Sequence, residues 1–96
     1  MVNKFDIGKF VETLTEQSVV NGIVERMKKR RKQMKLSQRQ LSQKSGVTYS
    51  SLRRFEVTGE ISLSSLLKIA HALDALKDFE VIFKGQAITN LKDYEG

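Results

Sequence analysis

Apolar residues recur along the chain at the three-and-four spacing of amphipathic helices, and the segments that break this rhythm are short. Asp6–Glu16 places Ile7, Phe10, Val11 and Leu14 on one helical side, with Asp6 as a cap. A longer helix is expected from a Ser18 cap through Met34, with Val20, Ile23, Val24, Met27 and Met34 as its apolar stripe. Arg31 falls on the same stripe. A cation turned toward a core must find a carboxylate or cost several kcal/mol, so this position requires a partner from elsewhere in the chain.

Lys35-Leu36-Ser37 interrupts the pattern, and Ser37 is the expected N-cap of a short helix, Gln38–Ser45. Leu41 points inward there, and the small Ser42 and Ser45 allow close approach. Gly46 supplies the left-handed residue that ends a helix, and Val47 an apolar anchor in the turn. Thr48 then caps a helix over Tyr49–Glu56, with Ser51, Leu52 and Phe55 on the buried side. By the i,i+4 rule Tyr49 and Arg53 form one outward row, and Ser50 and Arg54 its neighbour. Gly59 ends this segment. Ser62 opens another helix, with Leu63, Leu66, Leu67, Ala70 and Leu73 as its stripe. Farther on, Leu76, Phe79, Ile82 and Phe83 are spaced for a short helix, while Phe79, Val81 and Phe83 also alternate like a strand. The helix is preferred, because the chain offers no sheet for a lone strand to join. These side chains suit either a two-fold contact between copies or closure of the monomer's own core.

Length and composition narrow the chemistry. With 96 residues and 40% apolar content the chain builds one compact domain, all-α by its periodicity. Proline is absent, so no helix is stopped by one, and cysteine is absent, which removes disulfides and thiolate sites. A lone histidine, His71, leaves no metal site in a single copy; it is expected to be a half-buried structural side chain. No paired-carboxylate, phosphate-cradling or Ser-His-Asp pattern occurs, and neither an enzyme nor a cofactor is expected. The longest uncharged runs, Gln17–Val24 and Ser45–Leu52, span eight residues against the ~20 of a membrane helix. Met1–Phe10 carries Lys4, Asp6 and Lys9 and has no signal-peptide character, so a cytoplasmic protein is expected.

The distribution of charge changes the picture most. Eleven basic residues lie between Arg26 and Arg54 with no Asp or Glu among them, whereas the rest of the chain holds six basic and eleven acidic residues. A window of +11 in a chain of net +6 repels itself unless an anionic partner neutralises it. Nucleic acid fits this best; the plainer alternative is that the Lys28–Lys32 run is a solvated helix face. Two short helices joined by a glycine-containing turn make a helix-turn-helix candidate. The outward residues of its second helix are polar or cationic and not acidic, as entry to the major groove requires. The helix starts at Ser37 and Thr48 offer free N–H groups to phosphate.

The stretch Leu36-Ser-Gln-Arg-Gln-Leu-Ser-Gln-Lys-Ser-Gly-Val-Thr-Tyr-Ser-Ser-Leu-Arg-Arg-Phe-Glu56 resembles the lambda-repressor-like, or XRE-type, helix-turn-helix family, and Ile61–Leu73 resembles its fourth helix. The likeness spans roughly residues 24–84. It implies a five-helix all-α domain that binds as a homodimer to an inverted-repeat operator in double-stranded DNA, in a bacterial or phage-encoded regulator, most simply a repressor. Residues 1–20 would form an N-terminal helical extension, 21–84 the DNA-binding domain and 85–96 a C-terminal tail. The resemblance assigns phosphate contact to Gln38 and base reading to Thr48, Tyr49, Ser50, Arg53 and Arg54. Ser37, Arg39, Lys28 and Lys32 join the expected phosphate contacts, and Leu76, Phe79, Ile82 and Phe83 the dimer contact. The family's arginine–glutamate pair falls on Arg31 and Glu56, which would answer the core-facing arginine. Departures are Ser42 where alanine is common, Val57 and Thr58 as one residue more before Gly59, and the large Tyr49 at a reading position. Leu52–Leu67 is also similar to antitoxins of the HipB type, which gives a second expectation, a protein that neutralises a partner toxin and represses its own operon. Non-specific RNA binding is disfavoured, because stacking aromatics are sparse outside Tyr49.

Overall fold

A computed structural model describes residues 14–87, and all regular structure among them is helical. Four α-helices follow one another, α1 (Glu16–Gln33), α2 (Gln38–Ser45), α3 (Tyr49–Thr58) and α4 (Leu63–Ala72), and a single 3-10 turn, Leu76–Phe79, closes the described chain. The expected all-α class is observed.

Local chemistry explains each boundary. α1 is capped by Thr15 rather than Ser18: the Ser18 N–H donates to Thr15 Oγ1 at 3.0 Å, and the Thr15 N–H donates to Ser18 Oγ at 3.0 Å. Ser18 is therefore the reciprocal member of a capping box, three residues inside the helix. The helix expected over Asp6–Glu16 lies largely outside the described residues; where its end is described, Thr15 is extended and Leu14 is exposed. α1 stops one residue short of Met34 because Lys35 takes a left-handed conformation (φ 58°). Ser37, Thr48 and Ser62 each accept a backbone N–H in the first turn of α2, α3 and α4, from Gln40, Ser51 and Ser65. Gly46 and Gly59 end α2 and α3 at φ 81° and 82°, where a side chain would be strained.

The core lies where α2 meets α3 and α4 and where α1 meets α3. Leu41, Leu52, Ile69 and Leu73 are its most completely enclosed large side chains, with Val24, Met27, Val47 and Phe55 around them. Burial of each large apolar side chain contributes roughly 1.5–3 kcal/mol. Three expected core positions differ. Ser51 is exposed, because its place in the first turn of α3 puts its N–H on Thr48 and its side chain in water. Leu63 is 66% exposed on the first turn of α4, and Ile69, two turns later, takes the buried place. His71 is exposed rather than half-buried.

The segment after α4 is neither the expected amphipathic helix nor a strand. Asp74 is left-handed (φ 58°), which turns the chain out of α4, and Ala75 donates back to the Ala70 carbonyl at 2.8 Å. After the 3-10 turn, Phe83 again has positive φ (65°), so no helical run forms over Leu76–Phe83. Arg30 ties this end to α1, donating from Nη1 to the Leu73 carbonyl at 2.9 Å. Phe79 and Ile82 help line an apolar groove of about 310 Å³ between α1 and α4, with Ile23, Met27, Leu66 and Ile69.

Candidate nucleic-acid interface

The turn between α2 and α3 is held by two serines. Ser42 donates to the Val47 carbonyl at 2.6 Å, and Ser45 Oγ accepts the Val47 N–H at 3.1 Å. With Val47 itself buried, the three residues Gly46–Thr48 become a rigid elbow. Ser42 is thus more than a small residue in place of alanine, because its hydroxyl fixes the angle between the two helices.

Beneath the elbow lies a polar node. Arg31 donates from Nε and Nη2 to the two Glu56 oxygens at 2.9 and 3.2 Å and from Nη1 to the Leu36 carbonyl at 2.9 Å. Gln38 Nε2 donates to Glu56 Oε1 at 2.9 Å. The side chains of Arg31 and Glu56 are only 9% and 4% exposed, so the pair sits almost wholly out of water. The bidentate geometry and added donors give the carboxylate the satisfaction that burial demands. No buried side-chain N or O among the described residues lacks a partner. The node joins the end of α1, the following loop, the first residue of α2 and the last turns of α3. It also gives Gln38 a structural bond at the position where phosphate contact is expected.

α3 turns Leu52 and Phe55 inward, and its one acid, Glu56, turns into the node. Outward lie Tyr49, Ser50, Arg53 and Arg54, with Thr48 at the helix start, beside the exposed Ser51, Val57 and Thr58. Tyr49 is half-buried, because the Arg39 guanidinium from α2 lies over its ring, 4.0 Å from the centroid. Arg53, one turn along, lies 5.6 Å from the same centroid. Both distances fall in the cation–π range, so the ring braces two cations that would otherwise repel. Arg39 is thereby seated beside the outward row of α3. Arg54 is held differently: its Nη2 donates to Glu60 in the loop beyond Gly59.

The basic run of α1 divides. Arg31 and Arg30 are committed inside the fold, to Glu56 and to the Leu73 carbonyl. Lys28 lies 3.8 Å from Glu25, and Lys32 is exposed; both border a shallow groove with Lys29 and Gln33. Ser37 is occupied as the α2 cap and remains exposed. Of the expected dimer residues, Phe79 and Ile82 lie along the groove beside the monomer's own core, whereas Phe83 is 99% exposed and Leu76 lies at the surface. Sequence reasoning missed Arg30 and Glu60. Neither has a periodic or motif signal, since one bonds a carbonyl 43 residues away and the other lies in a loop.

Two short helices at a rigid three-residue elbow, with an acid-free cationic face on the second, define a helix-turn-helix DNA-binding domain. The chain belongs to the XRE-type helix-turn-helix family, whose model matches residues 27–78, more than half of the chain. It is a family of DNA-binding transcription regulators, generally non-enzymatic. No curated protein and no solved structure matches the chain. Among the described residues no helix is long and apolar enough to cross a membrane.

Proposed function

We propose that the chain is a sequence-specific transcriptional repressor whose domain, residues 21–84, places α3 in the major groove of an inverted-repeat operator. The observation that carries this is the outward face of α3: Tyr49, Ser50, Arg53 and Arg54 lie there while the helix's only acid is turned into the protein. Thr48, Tyr49, Ser50, Arg53 and Arg54 meet base edges. A bidentate arginine–guanine contact contributes roughly 1–3 kcal/mol of base discrimination, and Arg53, which makes no ion pair among the described residues, is the foremost reader. Ser37, Gln38 and Arg39 at the start of α2, with Lys28 and Lys32, meet phosphates and contribute affinity without sequence preference. Two copies joined through Leu76 and Phe83, with Phe79 and Ile82 behind them, bring two α3 helices to successive major grooves about 34 Å apart.

A second reading is favoured by one observation, the apolar end of the described chain, where Val81, Ile82 and Phe83 are exposed together. That end suits a protein partner, as in an antitoxin that binds a toxin and represses its own operon.

Selection of bound sequences from random duplexes tests the repressor reading. The wild-type protein is expected to select one inverted repeat and to lose affinity steeply with salt, with a slope of several ions. Arg53→Ala is expected to lose about 5- to 100-fold of the preference for that site over random duplex. Undiminished selection by Arg53→Ala, or no duplex binding by the wild-type protein, would overturn the assignment.

A further inference from the structure

We infer that Glu60 sets the DNA affinity of the reading face: its carboxylate clasps Arg54, and DNA must displace it before this arginine can make a contact. The inference rests on the DNA-binding reading above and adds to it a residue outside the helix-turn-helix.

The clasp is built by the backbone. At the end of α3 the Thr58 hydroxyl donates to the Arg54 carbonyl at 2.7 Å and accepts the Glu60 N–H at 3.1 Å. One hydroxyl thus ties the loop residue to the residue it pairs with. Gly59 lies between them at φ 82°, its N–H bonded to the Phe55 carbonyl at 2.8 Å. A Cβ there would run into Val20 of α1, so the turn lies flat against that helix. The loop therefore leaves the helix in one direction, and that direction carries the Glu60 carboxylate back to the Arg54 guanidinium. Thr58, the residue before Gly59, anchors this geometry through its hydroxyl.

Both side chains are 66% exposed, so the pair lies in water and is weak. Weakness is what a conditional contact requires. A buried pair would hold Arg54 permanently, and no pair would leave it free to bind any phosphate. In water the clasp lowers the availability of Arg54 by a few-fold, on the order of what an exposed ion pair supplies. The cost of opening the clasp applies in full where Arg54 makes a strong contact, as at a guanine that accepts both guanidinium donors, and only in part where the arginine can stay clasped. Once Arg54 is drawn away, the carboxylate is left without its counter-charge and repels the duplex. Glu60 in this way lowers operator affinity through Arg54 without touching a base.

The test is a double-mutant cycle on the full chain. Dissociation constants are measured for wild type, Glu60→Gln, Arg54→Ala and the double variant, on the selected operator and on random duplex, across a salt series. Thermal melts confirm that each variant is folded. Glu60→Gln is expected to bind the operator about three- to fivefold more tightly and to gain no more than that on random duplex. In the Arg54→Ala background the same substitution is expected to change operator binding little. Unchanged operator affinity in Glu60→Gln would overturn the clasp while leaving the DNA reading intact. An equal gain in the Arg54→Ala background would also overturn it, since Glu60 would then act as a general negative charge. Failure of the wild-type protein to bind any duplex would remove the DNA reading and the clasp with it.

Discussion

Among the described residues two arginine–glutamate pairs share α3 and differ in almost everything else. Arg31 and Glu56 are enclosed, bidentate and supplemented by the Leu36 carbonyl and the Gln38 amide. Arg54 and Glu60 meet through a single guanidinium nitrogen with water on most sides. The first spans 25 residues and joins three helices; the second spans six and closes a loop on its own helix. Identical functional groups thus serve opposite ends. Out of water a pair cannot open without stranding a charge, and it becomes architecture; in water it opens at little cost and becomes an adjustable contact. Both pairs attach to the C-terminal half of α3, two residues apart, so the same stretch of helix is fixed on its buried side and can respond on its exposed side.

The largest expected effect comes from breaking the buried pair. Glu56→Ala leaves the Arg31 guanidinium without its carboxylate, and a loss of about 3–5 kcal/mol is expected, a large share of the 5–15 kcal/mol typical of a small domain. Thermal melting followed by circular dichroism checks this. A melting temperature within a few degrees of wild type would show that water reaches Arg31 and that the contrast between the pairs is false. Replacing both residues, Arg31→Met with Glu56→Leu, is expected to restore stability only in part, because the Leu36 carbonyl and the Gln38 amide also lose their partners.

Gly59 stands between the two glutamates and gives the next effect. Gly59→Ala combines a left-handed backbone, costing about 1–3 kcal/mol, with displacement of Val20, and a lowered denaturant midpoint is expected. An unchanged midpoint would mean that the turn relaxes freely and that the exposed pair has no fixed base. The smallest effect sharpens the comparison from the other side. Arg54→Ala and Glu60→Ala are each expected to shift stability by less than about 1 kcal/mol, with a coupling of a few tenths in a double-mutant cycle. A coupling of several kcal/mol would place this pair with the buried one.

The legibility of these features follows from the range of the forces behind them. Ser37, Thr48, Ser62, Gly46 and Gly59 declare helix ends within three or four residues, and all five act there. Thr15 and Ser18 both have the chemistry of a cap, and local sequence does not rank them, because each uses its hydroxyl in the same capping box. The Arg31 anomaly is visible from periodicity alone, since a cation on an apolar stripe demands a partner. Choosing Glu56 among eleven acids needed the family resemblance. The Tyr49–Arg53 row is an i,i+4 relation and can be read directly. Arg39 over the Tyr49 ring cannot, because it depends on the angle at which α2 meets α3. At the C-terminal end the apolar spacing of Leu76–Phe83 suggests a helix, but left-handed Asp74 and Phe83 redirect the backbone.

Helix content, most helix ends, the excess of cations on the central segment and the presence of a reading face were all written in short-range order along the chain. They arise from backbone hydrogen bonding, side-chain periodicity and charge, which act between near neighbours. Which cations stay outside was settled in three dimensions. Of the basic residues from Lys28 to Lys32, Arg30 and Arg31 turned inward because a carbonyl and a carboxylate from distant segments were waiting for them. Arg54 acquired a competitor because a loop was folded back by one glycine. Charge can be counted along a chain, but its availability depends on the distance to a partner and the water between them, and folding alone sets those two quantities.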